Sequence, residues 1–263
     1  MYATIDSLQL HYAIEGQGTD LVLIHGLGGS LSDWDAIAPI LARHHRVFRW
    51  DVRGFGASDK PAGPYSAQLF ARDLAELCRA VGITRAHVAG ISMGGVIAQR
   101  LVLDFPALVR SLTVMSTSSE VGEQAQKAWL KMADGIEQRG FSANPDVAAR
   151  VFTPGFAKAN PEHVKALADR TATNDPRAYA AAARAIGTYN WTAELGRIQV
   201  PTLILQGLED VLTPPGGSVK LSRGIARSRL LMLPDCGHVM TAEKPEVVTN
   251  ALLAFVAGVE FSQ

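Results

Sequence analysis

The sequence predicts an α/β protein of one main domain, with a mostly parallel central sheet and helices on both faces. Three observations support this fold class. Apolar, strand-like runs alternate with helical patterns, one long segment interrupts the alternation, and small or polar residues directly follow several of the runs. The strand-like runs are residues 9–14, 21–24, 47–50, 86–89, 111–115, 202–206 and 230–233.

Helical periodicity fills much of the chain between these runs. In residues 66–81 the apolar side chains recur at intervals of three and four, which is the spacing of a helix that buries one stripe. The side chains in that stripe are Leu69, Phe70, Leu74, Leu77 and Val81. Residues 32–42 and 246–256 show a similar pattern, and a helix-like segment at 96–103 follows the run at 86–89. We therefore predict a helix in each of these four segments.

The interruption extends from residue 118 to residue 191, where helical segments alternate with signals for a break or a cap. These signals are Gly140, Asn144-Pro145, Pro154-Gly155, Asn160-Pro161 and Asp175-Pro176. The pattern predicts an all-helical insertion. Its large apolar side chains would form either a small core of its own or the walls of an apolar acyl pocket. These side chains are Trp129, Met132, Phe141, Phe152, Phe156, Tyr179 and Trp191, of which Trp129, Met132, Phe152 and Tyr179 are the pocket candidates.

Composition indicates an ordinary soluble enzyme. Hydrophobic residues make up 48% of the 263 residues, which is ample for a large core. The formal net charge is zero, with 25 basic and 25 acidic side chains, and no block of like charge would attract nucleic acid or an anionic membrane. No apolar stretch could span a bilayer, and the first residues lack the pattern of a signal peptide. Only two cysteines are present, which fits a reducing compartment, so the expected location is the cytoplasm. A homodimer is possible.

A serine between two glycines, Ser92, stands where the run at 86–89 passes into the helix-like segment at 96–103. Gly90 and Gly94 permit a sharp strand-to-helix turn there, because larger side chains would collide with neighbouring backbone. Such a turn would expose the hydroxyl of Ser92. By itself the pattern also fits a small residue in a tight turn. A nucleophilic serine needs three partners: a histidine base, a carboxylate that orients it, and backbone donors for the oxyanion.

Candidates for these partners follow other predicted strands. Asp210 comes after the run at 202–206, and His238 comes after the run at 230–233. The order serine, aspartate, histidine along the chain is the one that hydrolases with a nucleophile elbow use. The glycine-rich segment 25–29 follows the run at 21–24, so its amides could face the same cavity. The four strand ends are therefore predicted to converge on one site.

Together these segments make the chain resemble the α/β-hydrolase family over nearly its whole length. The matching stretches are residues 25–29, 51–59 and 90–95, together with Asp210 and Gly237-His238. Within the family, the chain is most similar to small bacterial carboxylesterases and to the 3-oxoadipate enol-lactonase group. The resemblance implies the α/β-hydrolase fold, with a core of residues 1–117 and 192–263. Residues 118–191 would then form a helical cap inserted after the sixth strand.

The expected reaction follows from these roles. His238 would deprotonate Ser92 as it attacks an ester carbonyl, and Asp210 would fix the imidazole tautomer. The backbone amides of Leu27 and Met93 would bind the oxyanion, and water would then release the acyl group. We expect a small-molecule ester or enol-lactone as substrate, and the reaction needs no metal or organic cofactor.

Other functions on the same fold stay open. A serine at the elbow argues against dehalogenase or epoxide hydrolase chemistry, because those enzymes need a carboxylate nucleophile there. Carbon-carbon bond hydrolases of aromatic breakdown are the main rival, but they commonly carry an aromatic residue after the histidine, where this chain has Val239, a further pocket candidate. A cofactor-free perhydrolase is compatible with the same triad. A ligand-binding receptor could also retain these motifs.

Other side chains compete for the roles of base and acid. The alternative histidines are His25, His87 and His163, and the alternative acids are Glu120, Glu209 and Asp235. His25 is expected to shape the oxyanion loop through a hydrogen bond, whereas His87 and His163 are expected to be structural. Two further polar residues have structural interpretations: Arg53 is expected to pair internally, and Cys236 to be a packing residue rather than a second nucleophile.

Overall fold

An eight-stranded sheet forms the centre of the computed structural model, which describes residues 1–143 and 150–262. The strands are β1 (Tyr2–Ile5), β2 (Leu8–Glu15), β3 (Asp20–Ile24), β4 (Arg46–Trp50), β5 (Ala86–Ile91), β6 (Val109–Met115), β7 (Thr202–Gly207) and β8 (Ser228–Leu233). Their order in the sheet is β1-β2-β4-β3-β5-β6-β7-β8. The pairs β1–β2 and β2–β4 are antiparallel, and all other neighbouring pairs are parallel. The predicted mostly parallel sheet is confirmed.

The strand order places a topological switch between β3 and β5. The chain passes from β3 to β4 on one side, whereas β5 pairs with the other side of β3, with Ile24 opposite Gly90. In an open parallel sheet, the loops that follow two such strands diverge and leave a crevice at their carboxyl ends. The glycine-rich segment after β3 and the serine turn after β5 therefore lie at the position where this fold class binds ligands.

Helices cover both faces of the sheet, as predicted. They are α1 (Ala38–Leu41), α2 (Ala67–Ala80), α3 (Met93–Asp104), α4 (Glu123–Arg139), α5 (Pro154–Ala159), α6 (Pro161–Ala172), α7 (Pro176–Gly187), α8 (Gly216–Gly224), α9 (Met240–Glu243) and α10 (Pro245–Phe261). Residues of α2 and α3 join one buried apolar cluster with Val22, while residues of α1 and α10 join a second cluster with Leu23. No helix within residues 1–143 and 150–262 combines the length and apolar character that a membrane crossing needs.

The helix predicted at residues 66–81 forms as α2. The hydroxyl of Ser66 accepts a hydrogen bond from the Leu69 amide at 3.0 Å, which satisfies one of the unpaired donors at the start of the helix. Phe70, Leu74 and Leu77 are buried on its inner side. Burying a side chain of this size contributes about 1.5–3 kcal/mol. The stripe that the sequence showed is therefore the face that fixes α2 to the sheet.

Two local predictions need correction. Residues 32–42 form a short 3₁₀ turn (Leu31–Trp34) and then α1, rather than one helix. Pro39 explains the break, because a proline inside a helix removes a backbone donor and clashes with the preceding turn, whereas it is tolerated in the first turn of α1. The sequence pattern also missed β1, a short edge strand that reaches β2 through Asp6 and Ser7, both with positive φ.

The insertion between β6 and β7 is helical in the part of the chain that the structure describes. It contains α4, α5, α6 and α7, and its described residues form no strand apart from a single bridge between Glu120 and Asn190. Asp175 caps α7 by accepting from the amides of Arg177 and Ala178 at 2.9 Å each. Of the predicted break signals, Asn144-Pro145 lies outside the described residues. The prediction of a helical insertion after the sixth strand is confirmed for the residues that the structure describes.

Candidate active site

Ser92 occupies a strained turn between the end of β5 and the start of α3. Its backbone has φ 55° and ψ −118°, a region that costs a residue with a side chain of order 1–3 kcal/mol. The flanking glycines are required by the close approach of the backbone. A Cβ at Gly90 would lie 2.2 Å from the carbonyl oxygen of Gly94, and one at Gly94 would lie 2.1 Å from that of Ile24. The turn leaves Ser92 partly exposed among buried neighbours.

Asp210 and His238 form a buried pair at the ends of the loops after β7 and β8. The Nδ1 atom of His238 lies 2.8 Å from Oδ2 of Asp210, and the side chains are 9% and 0% exposed. Oδ1 of Asp210 accepts from the amides of Leu212 and Thr213 at 2.9 Å each, and Oδ2 accepts from the Thr213 hydroxyl at 2.6 Å. Because Asp210 occupies Nδ1, the Nε2 atom of His238 is the one that remains to serve as a base.

The environment of Asp210 keeps it ionised. Burial acts to raise its pKa, but the hydrogen bond and charge of His238, together with the donors of Thr213, outweigh burial and lower the pKa below the ordinary value of 3.8. An ionised carboxylate is an acceptor only, so the proton between the two residues belongs to Nδ1. Asp210 can therefore orient the imidazole and stabilise the imidazolium without taking the proton itself.

The end of β6 holds the serine turn and the histidine loop together. The Ser92 amide donates to the carbonyl of Met115 at 2.9 Å, and the hydroxyl of the next residue, Ser116, donates to the carbonyl of His238 at 2.8 Å. The His238 amide in turn donates to the carbonyl of Val151 at 2.9 Å. Met115 and Ser116, at the end of β6, thus fix the backbone at Ser92 and at His238 respectively.

The segment after β3 forms a tight turn beside Ser92. The Gly29 amide donates to the carbonyl of Gly26 at 3.1 Å, and Nδ1 of His25 donates to the same oxygen at 2.7 Å. A Cβ at Gly26 would lie 3.5 Å from that of Ser92. A trans peptide points its C=O and N–H in opposite directions, so fixing the Gly26 carbonyl also fixes the Leu27 N–H. The Met93 amide, at the first position of α3, has no acceptor within the helix and is the second candidate for the oxyanion hole.

The competing residues lie in other environments. His87 is buried in β5, within 2.7 Å of the Ser111 hydroxyl, and burial lowers its pKa to about 4. His163 is exposed beside Glu162. Glu120 pairs with Lys220 and accepts from the Thr192 hydroxyl. The acids that flank the two loops, Glu209 and Asp235, are both exposed at the surface.

The polar segment at 51–59 is held by its own contacts. Arg53 makes a two-pronged ion pair with Asp73, as the sequence predicted. Asp51 accepts from the amides of Leu31 at 2.7 Å and Ala57 at 2.9 Å, and His11 pairs with it at 2.8 Å. These bonds tie the loop after β4 to the chain that follows residues 25–29, which we call the oxyanion turn. The segment is a structural connection rather than a second site.

Cys236 is a poor candidate for a second nucleophile. Its side chain is fully buried, and burial raises the pKa of the thiol to about 12. The reactive form of a cysteine is the thiolate, which such a pKa suppresses at neutral pH. Its interpretation as a packing residue is consistent with this environment.

The pocket candidates fall into two groups. Tyr179 packs edge-on against Phe55 and against the backbone of Gly28, so it lies beside the oxyanion turn. Phe152 stacks on Phe156 and follows Val151, whose carbonyl accepts from the amides of both His238 and Val239. Trp129 and Met132 lie on α4, where both pack against the core, and Trp129 also lies against Gly187 of α7.

Sequence reasoning missed several residues that organise this site. Thr213 donates to Asp210, and Ser116 and Val151 hold the histidine loop. A threonine three residues after an aspartate is a local turn signal that would have identified Thr213. Ser116 and Val151 carry no such signal, because their partners lie far away in the chain. Val151 comes to the histidine only through the folding of the cap.

Comparison with known proteins identifies the family of this chain. The family described as alpha/beta hydrolase fold matches residues 20–245. The 3-oxoadipate enol-lactonase 2 of Acinetobacter baylyi is 32% identical, over 95% of this chain and 94% of its own length. A putative carbamate hydrolase of Azorhizobium caulinodans is 29% identical, over 98% of this chain and 99% of its own. The crystal structure of the enol-lactonase from Burkholderia xenovorans LB400 superposes with a TM-score of 0.94 at 29% identity, over 98% and 100% of the two chains.

The sheet order, the sharp strand-to-helix turn at Ser92 and the helical insertion define the α/β-hydrolase class of fold. The chain belongs to the α/β-hydrolase family.

Proposed function

We propose that the protein hydrolyses small carboxylic esters or enol-lactones through an acyl-enzyme on Ser92. The observation that carries the proposal is the buried contact of 2.8 Å between Asp210 and Nδ1 of His238. This contact leaves Nε2 as the ring nitrogen that can act as a base. The end of β6 connects the backbone of His238 to the serine turn. A buried carboxylate of lowered pKa is the partner that a histidine needs to gain a proton during catalysis.

In the proposed reaction, Nε2 of His238 removes the hydroxyl proton of Ser92 as its oxygen attacks the carbonyl carbon. The negative charge that forms on the carbonyl oxygen is bound by the amides of Leu27 and Met93, and each such donor is worth about 10²- to 10³-fold in rate. His238 then gives its proton to the leaving oxygen. A water molecule, activated by the same nitrogen, attacks the acyl-enzyme and regenerates Ser92.

The enol-lactone part of the proposal is supported by similarity to two proteins named as enol-lactonases. A lactone differs from an open ester in that its leaving oxygen stays attached to the acyl group. After ring opening, the enol oxygen therefore stays in the site until the acyl-enzyme is hydrolysed. The site around Ser92 must therefore hold both the acyl group and the enol oxygen attached to it. We propose Tyr179, Phe152 and Val239 as its apolar walls.

The proposal is tested by comparing the wild-type protein with Ser92→Ala on p-nitrophenyl esters of increasing acyl length, an enol-lactone and a vinylogous diketone. We expect turnover of short esters or the lactone by the wild type and a loss of about 10³-fold or more in Ser92→Ala, since the nucleophile is gone. Intact-mass measurement after treatment with a fluorophosphonate should show one adduct, located on Ser92.

Cys236→Ala is the matched control, because it removes the nearest alternative nucleophile by sequence, two residues before His238. It should keep the wild-type rate and the fluorophosphonate adduct. Turnover that survives in Ser92→Ala would reject the serine mechanism. Cleavage of the diketone alone would replace ester hydrolysis with carbon-carbon cleavage, and labelling without turnover on any substrate would favour a ligand-binding receptor.

A further inference from the structure

The cap contacts the oxyanion turn through the amide side chain of Asn174, which lies between α6 and α7. Its Nδ2 atom donates to the carbonyl of Gly28 at 3.0 Å, across 146 residues of sequence. The same nitrogen lies 3.0 Å from the carbonyl of Thr171 and 3.3 Å from that of Arg170, at the end of α6. One side chain therefore joins the carboxyl end of a cap helix to the turn beside Ser92.

Two further cap residues reach the same place. Nη2 of Arg170 lies 2.9 Å from Oδ1 of Asp33, and the Asp33 carboxylate is packed so closely on Gly29 that a Cβ there would be 2.0 Å from Oδ2. The ring of Tyr179 lies against Gly28, where a Cβ would be 2.8 Å from Cε2. The turn is thus in contact with the cap at both Gly28 and, through Asp33, Gly29.

The hydrogen bond of Asn174 is the first in a series of hydrogen bonds that leads to the Leu27 N–H, a proposed oxyanion donor. The Gly28 carbonyl and the Gly29 N–H belong to one peptide group. That N–H donates to the Gly26 carbonyl at 3.1 Å, and the Gly26 carbonyl shares its peptide group with the Leu27 N–H. In a planar trans peptide, holding the oxygen fixes the direction of the N–H. Hydrogen bonds in series also polarise one another, so each bond makes the next donor stronger.

We propose that Asn174 is a positioning residue of the oxyanion hole, which holds the peptide of Gly28 and Gly29 so that the Leu27 N–H faces the developing oxyanion. This inference rests on the proposed function. Asn174 does not touch the substrate; it acts through two peptide groups. Because Asn174 belongs to the cap, the oxyanion hole is complete only when the cap segment formed by Arg170, Asn174 and Tyr179 is seated on the turn.

The test compares wild type, Asn174→Ala and Asn174→Asp by steady-state kinetics on a short p-nitrophenyl ester. Aspartate has nearly the shape of asparagine but, when ionised, cannot donate to Gly28. We expect kcat to fall about three- to tenfold in both variants, the rate equivalent of one neutral hydrogen bond, with KM changed less than twofold. The affinity for a trifluoromethyl ketone, whose adduct with serine carries an oxyanion, should fall by the same factor.

Lys165→Ala is the matched control. Lys165 lies on the exposed side of α6, where its ammonium group pairs with Asp169, and its removal should leave all of these values unchanged. Thermal unfolding and circular dichroism establish that each variant is folded. An unchanged kcat in a folded Asn174→Ala, or a change in KM alone, would overturn the positioning role.

Hydrogen exchange separates this inference from the proposed function. The Gly29 amide should exchange faster in Asn174→Ala than in wild type, and equal exchange rates would overturn the inference whether or not any ester is hydrolysed. A wild-type protein that turns over no ester, with faster Gly29 exchange in the variant, would reject the proposed function and retain the role of Asn174 in ordering the turn.

Discussion

The backbone N–H of Val52 donates to Nε2 of His25 at 3.0 Å, and this bond fixes the tautomer of the ring. Since Nε2 accepts, the proton lies on Nδ1, which donates to the Gly26 carbonyl at 2.7 Å. His25 is fully buried and packs edge-on against Phe55. It therefore connects the loop after β4 to the oxyanion turn, in agreement with the prediction that it shapes this turn through a hydrogen bond.

His25→Ala should lower both stability and activity. The substitution leaves the Val52 N–H and one lone pair of the Gly26 carbonyl unpaired in a buried place, which costs about 2 kcal/mol in the free energy of unfolding. The Leu27 N–H also loses part of its alignment, so kcat should fall about tenfold. Urea unfolding and ester kinetics measure the two effects. In His25→Asn the shorter amide can still donate to Gly26, and a kcat no better than that of His25→Ala would contradict this explanation.

Asp210→Asn should nearly abolish turnover while the protein stays folded. An amide can present its NH₂ to Nδ1 and so favour the wrong imidazole tautomer, for which a loss of roughly 10⁴-fold in kcat is typical. Because the pKa of Asp210 lies below 3.8, its protonation does not limit the wild-type rate above about pH 5. The pH profile of kcat/KM from pH 4 to 9 checks whether protonation of Asp210 limits the wild-type rate.

Glu209→Gln is the control for this substitution, because Glu209 is the adjacent acid and is exposed. It should retain a kcat close to that of wild type. If Glu209→Gln loses activity as severely as Asp210→Asn, the assignment of the acid to Asp210 is wrong.

Arg53→Met should destabilise the fold through Asp73. The carboxylate is 4% exposed, and burial raises its pKa even though Arg53 opposes this effect through a hydrogen bond and its charge. Without Arg53, the folded protein would hold an uncompensated buried charge, at a cost of about 3 kcal/mol or more near neutral pH.

The pH dependence of this loss has a definite sign. Removing Arg53 raises the pKa of Asp73 in the folded protein further above its value in the unfolded chain. The loss in the free energy of unfolding therefore grows as pH rises from the unfolded pKa towards the folded pKa. It shrinks as pH falls, because the carboxyl group is then protonated. Urea unfolding at pH 5 and pH 8 measures it. The double variant Arg53→Met, Asp73→Leu should recover most of the stability, and a double variant as unstable as the single one would show that the charge is not the cause.

His87 should make stability depend on pH in the acid range. Its pKa is lowered from 6.5 to about 4, first by burial and also by the charge of Arg110 and by His45, with Glu260 acting in the opposite direction. The unfolded chain binds the proton near pH 6.5 and the folded chain only near pH 4. The contribution of His87 to stability is therefore complete above pH 6.5 and is lost as pH falls from 6.5 towards 4.

His87→Gln should flatten this dependence, with a smaller loss in the free energy of unfolding between pH 7 and pH 5 than wild type shows. His163→Gln, at an exposed histidine of α6, provides the comparison and should follow the wild-type curve. Equal slopes for wild type and His87→Gln would exclude His87 as the source.

Much of the architecture was predictable from local pattern. Each predicted strand run appears in the sheet, and the helix at 66–81 forms with Ser66 as its cap, because periodicity and capping depend on neighbours in sequence. The glycine spacing around Ser92 likewise predicted the turn, since a collision within a few residues is a local property. The errors are local as well: Pro39 divides a helix, and β1 is too short to show a pattern.

The sequence by itself determined the fold class, the elbow and the small set of residues able to serve as acid and base. Only the tertiary structure decided that Asp210, rather than Glu209 or Asp235, lies 2.8 Å from His238. It also decided that Asn174 reaches Gly28 from the cap. The physical reason is that hydrophobic periodicity is written along the chain, whereas hydrogen bonds between loops depend on where strand order and helix packing place their ends. Residues 146 positions apart carry no local sign of their contact.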